Sequence, residues 1–160
     1  MTVVDGGDPA ASGLGRAEDD GTECVFCRIA AGAEPASMVR ADDEVLAFLT
    51  HQPVNAGHVL VVPRAHVAGL SGLPDETGTA MWRLAREVAA TLRQDPAWSD
   101  GVNLHLSDGD AAGQHVFHVH LHVIPRFHGD GLRITDARHD PPTRLELDEV
   151  ASRLRGALGR

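Results

Sequence analysis

Three histidines alternate with apolar residues late in the chain, at His118, His120 and His122. Successive side chains of a strand point to opposite faces, so this spacing predicts a half-buried strand over 117–124 with the three imidazoles on one face. Imidazole changes its charge near neutral pH, and a row of imidazoles can supply a nucleophile, an acid or base, and a donor to an anion. We expect the row to carry chemistry, with the central His120 as the nucleophile.

The row is too long for all three imidazoles to share one metal ion, because its ends lie about 13 Å apart along a strand. The loop before it, over 107–114, instead favours an anion site. Gly109 and Gly113 allow the backbone to approach a ligand closely, while Gln114 and His115 add side-chain donors. The loop and the row together predict a site for a small anion.

Composition narrows the class of protein. The chain has 160 residues and a net charge of −9, and an acidic chain repels a phosphate backbone, so general nucleic-acid binding is disfavoured. Residues 1–22 are predicted to form a disordered acidic tail. There is neither a long apolar run nor a secretory signal pattern, so we expect a cytoplasmic protein without membrane contact.

The apolar spacing predicts one α+β domain over 23–142. Helical spacing occurs over 24–31 and over 74–94, and a further amphipathic helix over 145–158, within a C-terminal segment 143–160, is expected to pack on the domain. Strands are expected at 39–41, 44–50, 58–63, 102–106 and 117–124. The expected architecture is a five-stranded antiparallel sheet with flanking helices.

Cys24 and Cys27 are the only two cysteines. In a cytosolic chain this pair is a redox couple, half of a metal site or two free thiols. The acidic segment that precedes Cys24 is not a strand pattern, which argues against a thioredoxin-like motif. The spacing is also that of half a tetrahedral Zn²⁺ site, which needs two more ligands from elsewhere.

The histidine row resembles the defining motif of the histidine triad (HIT) family, in which three histidines alternate with apolar residues. The similarity extends from about Cys24 to Arg126. It includes the stretches CVFCRI at 24–29, LAF at 46–48, PVNAGHVLVVPR at 53–64 and AGQ at 112–114, together with His66. Only the tail and the C-terminal segment fall outside it.

The resemblance implies hydrolysis or transfer of nucleoside monophosphates, with substrates such as adenosine phosphoramidate, acyl-adenylates and dinucleoside polyphosphates. By similarity, His120 attacks the α-phosphorus and forms a nucleotidyl-histidine intermediate that water cleaves. His122 is then expected to hydrogen-bond the phosphate, Gln114 to contact the phosphate and the leaving group, and His58 to lie close behind His120. No catalytic metal is required in this scheme, and the expected partner is a purine nucleoside phosphate.

Four apolar residues match positions that line the base pocket in HIT relatives: Val25, Phe26, Ile29 and Phe48. Ordinary core packing is the alternative for all of them. The chain also departs from the family pattern in three places. Thr50, with His51 beside it, replaces a ribose-binding Asp; Ser107 replaces an Asn near the phosphate; and His115 replaces a Ser or Thr beside the leaving group. His105, His128 and His139 are given no role.

By similarity to zinc-containing bacterial HIT proteins, the metal ligands are Cys24, Cys27, His66 and His118. Four protein ligands imply a closed structural Zn²⁺ site. The resemblance also implies a two-fold homodimer with a continuous sheet. Two alternatives remain open at this point: a nucleotide-binding regulator with little turnover, and an unrelated His/Cys metalloenzyme.

Overall fold

The computed structural model of this protein describes residues 24–132 and 141–159. These residues form two compact units, one that extends to His128 and one that begins at Gly129. The predicted acidic tail and most of the loop expected before the last helix lie outside the described residues. None of the described helices is long and apolar enough to cross a bilayer.

Five antiparallel strands form the sheet of the first unit, which confirms the predicted α+β class. The strands are β1 (Met38–Ala41), β2 (Val45–Leu49), β3 (Val59–Pro63), β4 (Gly101–His105) and β5 (Leu121–Arg126). Their order in the sheet is β1-β2-β3-β5-β4. The strand that carries His122, β5, is therefore an interior strand between β3 and the edge strand β4.

Both faces of the sheet are covered, since residues of β2 and β3 alternate between two apolar clusters. On one face, Val45, Ala47, Val59 and Val61 pack with α2 (Asp75–Leu92). On the other face, β2 and β3 pack with Cys24 and Phe26 at the start of α1 (Val25–Ala30). The odd-numbered residues Val119, Leu121 and Val123 join the α2 side. The imidazoles of the even-numbered positions are therefore directed to the α1 side.

The predicted start of the fifth strand at 117 is wrong by four residues, because β5 begins at Leu121. Continuing the ladder between β3 and β5 would place Val119 opposite Pro63, and proline has no N–H to donate. The N–H of Val119 instead donates to the carbonyl of Val67 at 2.7 Å. His118 and His120 therefore lie on an irregular segment that is tied to the loop after β3, and only His122 lies in the strand.

The remaining boundaries differ from the predicted ones by two residues or fewer, as expected at frayed element ends. The second unit contains α3 (Arg144–Leu158), which begins with a capping box: the Thr143 hydroxyl accepts from the N–H of Glu146, and the Glu146 carboxylate accepts from the N–H of Thr143. The prediction that this helix packs on the domain stays a prediction.

Candidate active site and metal centre

Two cysteines and two histidines that are far apart in the chain meet beside α1. Cys24 and Cys27 are one helical turn apart, so their thiols lie on the same side of α1. His66 comes from the loop after β3, and His118 comes from the segment before β5. One donor atom from each of these four residues lies within 4.8 Å of the others. The structure thus brings together the four residues that the sequence predicts as metal ligands.

The donor atoms of this cluster have the spacing and chemistry of a tetrahedral site. The Nδ1 atom of His118 lies 3.4 Å from the Cys24 Sγ atom, and the Nδ1 atom of His66 lies 3.3 Å from the Cys27 Sγ atom. Ligand bonds of about 2.3 Å to sulfur and about 2.0 Å to nitrogen give a tetrahedral S···N separation of roughly 3.5 Å. The donor set therefore fits Zn²⁺, and two thiolates with two imidazoles leave no open position for a substrate.

The hydrogen bonds of the two imidazoles are consistent with metal binding through Nδ1. The Nε2–H of His118 donates to the Pro63 carbonyl at 2.8 Å, which leaves Nδ1 unprotonated and directed at the thiols. The Nε2 atom of His66 is buried without a hydrogen-bond partner in the described part of the chain. Such a group costs about 1–3 kcal/mol, and a bond from Nδ1 to a metal would offset that cost.

His120, two residues further on, holds its proton on the other ring nitrogen. Its Nδ1–H donates to the backbone carbonyl of His118 at 2.8 Å. Because that carbonyl can only accept, the neutral ring must be unprotonated at Nε2. The ring is 7% exposed and packs edge-on against Phe26, with ring centroids 5.3 Å apart. Packing and hydrogen bonding together fix the ring and leave the lone pair of Nε2 as its reactive position.

His122 presents the opposite tautomer because of a chain of hydrogen bonds that begins at the backbone. The N–H of Val54 donates to Nδ1 of His58 at 3.2 Å, so the neutral His58 ring carries its proton on Nε2. That Nε2–H donates to Nδ1 of His122 at 2.9 Å. His122 is therefore left with an Nε2–H donor. The structure places His58 directly against His122, whereas the resemblance implied a position behind His120.

The electrostatics of the site keep these rings neutral. Burial, and to a smaller extent the neighbouring His120, His58 and His105 rings, together lower the pKa of His122 to about 4. Burial also lowers the pKa values of His58 and His120, and in His120 the bond to the His118 carbonyl partly opposes this effect. The unprotonated Nε2 atom of His120 can act as a nucleophile, and the Nε2–H of the neighbouring neutral His122 can act as a hydrogen-bond donor.

The glycine loop is closed on itself by Gln114. The Gln114 Oε1 atom accepts from the N–H of Gly109, and its amide Nε2 donates to the Ala68 carbonyl, both at 2.8 Å. Gly109 and Gly113 have φ values of 89° and 83°, which side chains other than glycine rarely tolerate. Gln114 is buried, so in this structure its amide shapes the loop. His115, next in the chain, is exposed and close enough to lower the pKa of His120.

The expected base-pocket residues divide into two pairs. Phe26 and Phe48 are buried core residues with ring centroids 5.7 Å apart, whereas Val25 and Ile29 are half-buried and present part of their surface. Thr50 lies beside His58, since the Thr50 N–H donates to the His58 carbonyl at 3.1 Å. His51 is exposed. Assignment of these residues to base and ribose binding stays a prediction.

His105 is a member of the site that sequence reasoning missed. It pairs across β4 and β5 with His122, and the two ring centroids lie 5.9 Å apart. The sequence of β4 alone does not predict that His105 lies beside His122. The two rings meet only through the register of β4 with β5, which are separate strands of the sheet. The role of Pro63 and of the His118 carbonyl in fixing tautomers has no sequence signal either.

An apolar groove lies on the opposite side of the sheet, with a volume of about 490 Å³. Its walls include Leu84, Val88 and Trp98, with Arg40 and Glu87 paired at 2.8 Å. None of the described residues that line this groove is a histidine or a cysteine.

The fold and the site define an antiparallel α+β protein with a histidine triad, in which one histidine joins a Cys₂His₂ cluster and two have fixed, opposite tautomers. The HIT domain profile matches residues 31–129. The chain therefore belongs to the HIT family.

Three similar proteins illustrate the relationship. Adenylylsulfatase HINT3 of Arabidopsis thaliana is 34% identical over 154 residues, which cover 94% of this chain and 76% of that protein. A HIT family protein from Bacillus anthracis has a crystal structure with a TM-score of 0.76 and 31% identity, covering 85% of this chain and 97% of the other. A Zn-bound histidine triad family protein from Mycobacterium smegmatis has a TM-score of 0.66 and 37% identity, covering 84% and 97%.

Proposed function

We propose that this protein hydrolyses nucleoside monophosphate esters, amidates and anhydrides through a nucleotidyl intermediate on His120. The observation that carries this proposal is the pair of opposite tautomers: Nε2 of His120 has a lone pair, and Nε2 of His122 has a hydrogen to donate. This pair suits a reaction in which a nitrogen attacks phosphorus while negative charge on the phosphoryl oxygens needs a donor. The Arabidopsis relative's name adds adenylyl sulfate to the candidate substrates.

The reaction has two balanced steps. In the first, the Nε2 lone pair of His120 forms a bond to the α-phosphorus, the bond from phosphorus to the leaving group breaks, and the leaving group departs with its electron pair and takes up a proton. In the second, water attacks the same phosphorus and gives up a proton, and the N–P bond breaks. The products are a nucleoside monophosphate and His120 in its starting form. The Nε2–H of His122 donates to a phosphoryl oxygen in both steps.

The bond from His120 Nδ1–H to the His118 carbonyl supports this cycle. When Nε2 bonds to phosphorus the ring becomes cationic, and a carbonyl acceptor at 2.8 Å stabilises that charge. The same bond holds the ring orientation throughout, so the nucleophile need not reorganise between steps.

We further propose that Cys24, Cys27, His66 and His118 hold a structural Zn²⁺. Such an ion would fix His118 and, through the His118 carbonyl, the orientation of His120. The donor set and the Zn-bound Mycobacterium smegmatis neighbour support this proposal. It assigns no chemical step to the ion, because the four protein ligands leave it closed. We also propose the two-fold homodimer that the resemblance implies.

Trapping tests the proposed mechanism. The full chain is mixed with an adenosine phosphoramidate labelled in the adenylyl group, quenched in milliseconds to seconds, and mapped by mass spectrometry. We expect one adenylyl group on His120, and none in His120→Asn, in which the amide can still donate to the His118 carbonyl. Turnover of that variant should fall by about 10⁴-fold or more. AMP binding without any adduct or turnover in the unsubstituted protein would indicate a binding protein instead.

A further inference from the structure

The edge strand β4 ends beside the reactive rings with a hydrogen-bonded pair that the scheme above does not use. The Nε2 atom of His105 and the hydroxyl of Ser107 are hydrogen-bonded at 3.1 Å. The His105 ring is exposed, whereas Ser107 is only 7% exposed. The pair thus joins an accessible imidazole to a nearly buried hydroxyl.

Contacts of the His105 ring show where this hydroxyl lies. His105, the last residue of β4, is the cross-strand partner of His122, and the two ring centroids are 5.9 Å apart. Ser107 comes two residues later and is held to the same His105 ring by the hydrogen bond at 3.1 Å. The hydroxyl therefore lies beside the group of imidazoles that includes His122.

We propose that His105 is a positioning residue that turns the Ser107 hydroxyl into a hydrogen-bond donor to the phosphoryl oxygens of a bound nucleotide. This inference rests on the proposed function, because it concerns the phosphoryl group that His120 would receive.

The direction of the hydrogen bond between the two residues follows from the chemistry of an anion. Phosphoryl oxygens can only accept, so a hydroxyl that contacts them must point its hydrogen at them. The Ser107 oxygen then has lone pairs to spare, and the Nε2–H tautomer of His105 satisfies one of them. Without that donor, the Ser107 hydroxyl rotates freely and can direct its hydrogen at other acceptors. The pair would provide a second donor beside the Nε2–H of His122.

Ligand binding without turnover tests this role. The dissociation constants of AMP and adenosine are measured by calorimetry for the full chain and for His105→Leu, Ser107→Ala and the double variant. We expect each single substitution to weaken AMP binding about tenfold, the size of a hydrogen bond to a charged group, and to leave adenosine binding unchanged. The double variant should bind AMP as each single variant does, because both changes remove one shared contact.

Two further variants make the test specific. His105→Gln can place an amide donor near the position of Nε2, so it should restore most of the AMP affinity. His128→Leu removes another exposed histidine and should change neither ligand's affinity. Unchanged AMP binding in His105→Leu would overturn the inference. Equal losses for AMP and adenosine would show a merely structural role, and additive losses in the double variant would show that the residues act independently.

The trapping experiment separates failure of this inference from failure of the proposed function. If the unsubstituted protein forms the His120 adduct but His105→Leu keeps full AMP affinity, the positioning role is wrong and the mechanism stands. If no adduct forms but AMP affinity changes as expected, the mechanism is wrong and the positioning role stands as a binding contact.

Discussion

His118 and His120 are two residues apart and have the same side chain, yet they hold their protons on opposite ring nitrogens. His118 donates from Nε2 to the Pro63 carbonyl and turns Nδ1 toward two thiols. His120 donates from Nδ1 to the His118 carbonyl, which leaves its Nε2 unprotonated. In both rings a backbone carbonyl selects the tautomer. The chemistry of each imidazole is therefore set by which carbonyl its second nitrogen can reach.

The surroundings of the two rings differ as clearly as their tautomers do. His118 is fully buried, and its ring contacts both cysteine thiols and the Phe26 ring. His120 contacts the same Phe26 ring and has His122 and then His58 as neighbours. Phe26 thus packs against one imidazole of a thiol-rich cluster that fits a metal and against one imidazole of a second group that contains no thiol. The two regions share the His118 carbonyl, so a disturbance of the first should reach the second.

The largest expected effect comes from opening the cluster of Cys24, Cys27, His66 and His118. We expect the full chain, purified without chelator, to carry about one zinc per chain. His66→Asn should lose the metal and lower the melting temperature by about 5 °C or more. Metal analysis measures the zinc content and thermal unfolding measures the melting temperature. His128→Asn is the matched control outside the cluster. A fully folded protein that holds no zinc would contradict the assignment.

The neutral imidazole group predicts a pH dependence of stability. The pKa of His122 is about 4 in the folded protein, against about 6.5 in an unfolded chain. As the pH falls below 6.5 the unfolded chain binds a proton that the folded chain does not, so stability decreases until the pH approaches 4. Allowing for solvent screening of the partly exposed ring, the loss is roughly 1–2 kcal/mol.

Urea unfolding of the protein and of His122→Asn at about pH 7.5 and about pH 4.5 isolates this contribution. The asparagine side chain keeps a hydrogen-bond acceptor for His58 but has no group that titrates in this pH range. Any loss of stability caused by metal release at low pH affects both proteins alike. We expect the unsubstituted protein to lose more stability than the variant. An equal loss would show that His122 is already protonated in the folded state, or that its pKa is not lowered.

The smallest expected effect concerns His115, which is exposed and close enough to His120 to lower the pKa of that ring. A protonatable imidazole can give a proton to a departing amine or phosphate, where a serine hydroxyl can only hydrogen-bond. His115→Ser should therefore change the ratio of kcat/KM between a phosphoramidate and a dinucleoside polyphosphate by several-fold to about tenfold. Steady-state kinetics with both substrates measure this ratio, and an unchanged ranking would remove His115 from the leaving-group side of the site.

Much of the fold follows from local sequence patterns. The apolar alternation of β2 and β3 and the 3.6-residue spacing of α2 are set by which side chains must leave water. The cysteine pair with His66 and His118 was predicted from the resemblance, and the structure brings those four residues together. The start of β5 was not predictable, because it depends on Pro63, which stands 58 positions before Leu121 and cannot donate to the strand beside it.

The sequence by itself determined that three imidazoles share one side of a segment whose other side is buried, because that alternation is local and the apolar side chains must pack. Only the tertiary structure decided which nitrogen each imidazole exposes and that His105 stands beside His122. Those outcomes depend on single hydrogen bonds to Pro63, to the His118 carbonyl and from Val54, and on the register of β4 with β5. Contacts between distant parts of the chain form only when the sheet closes, and no local pattern records them.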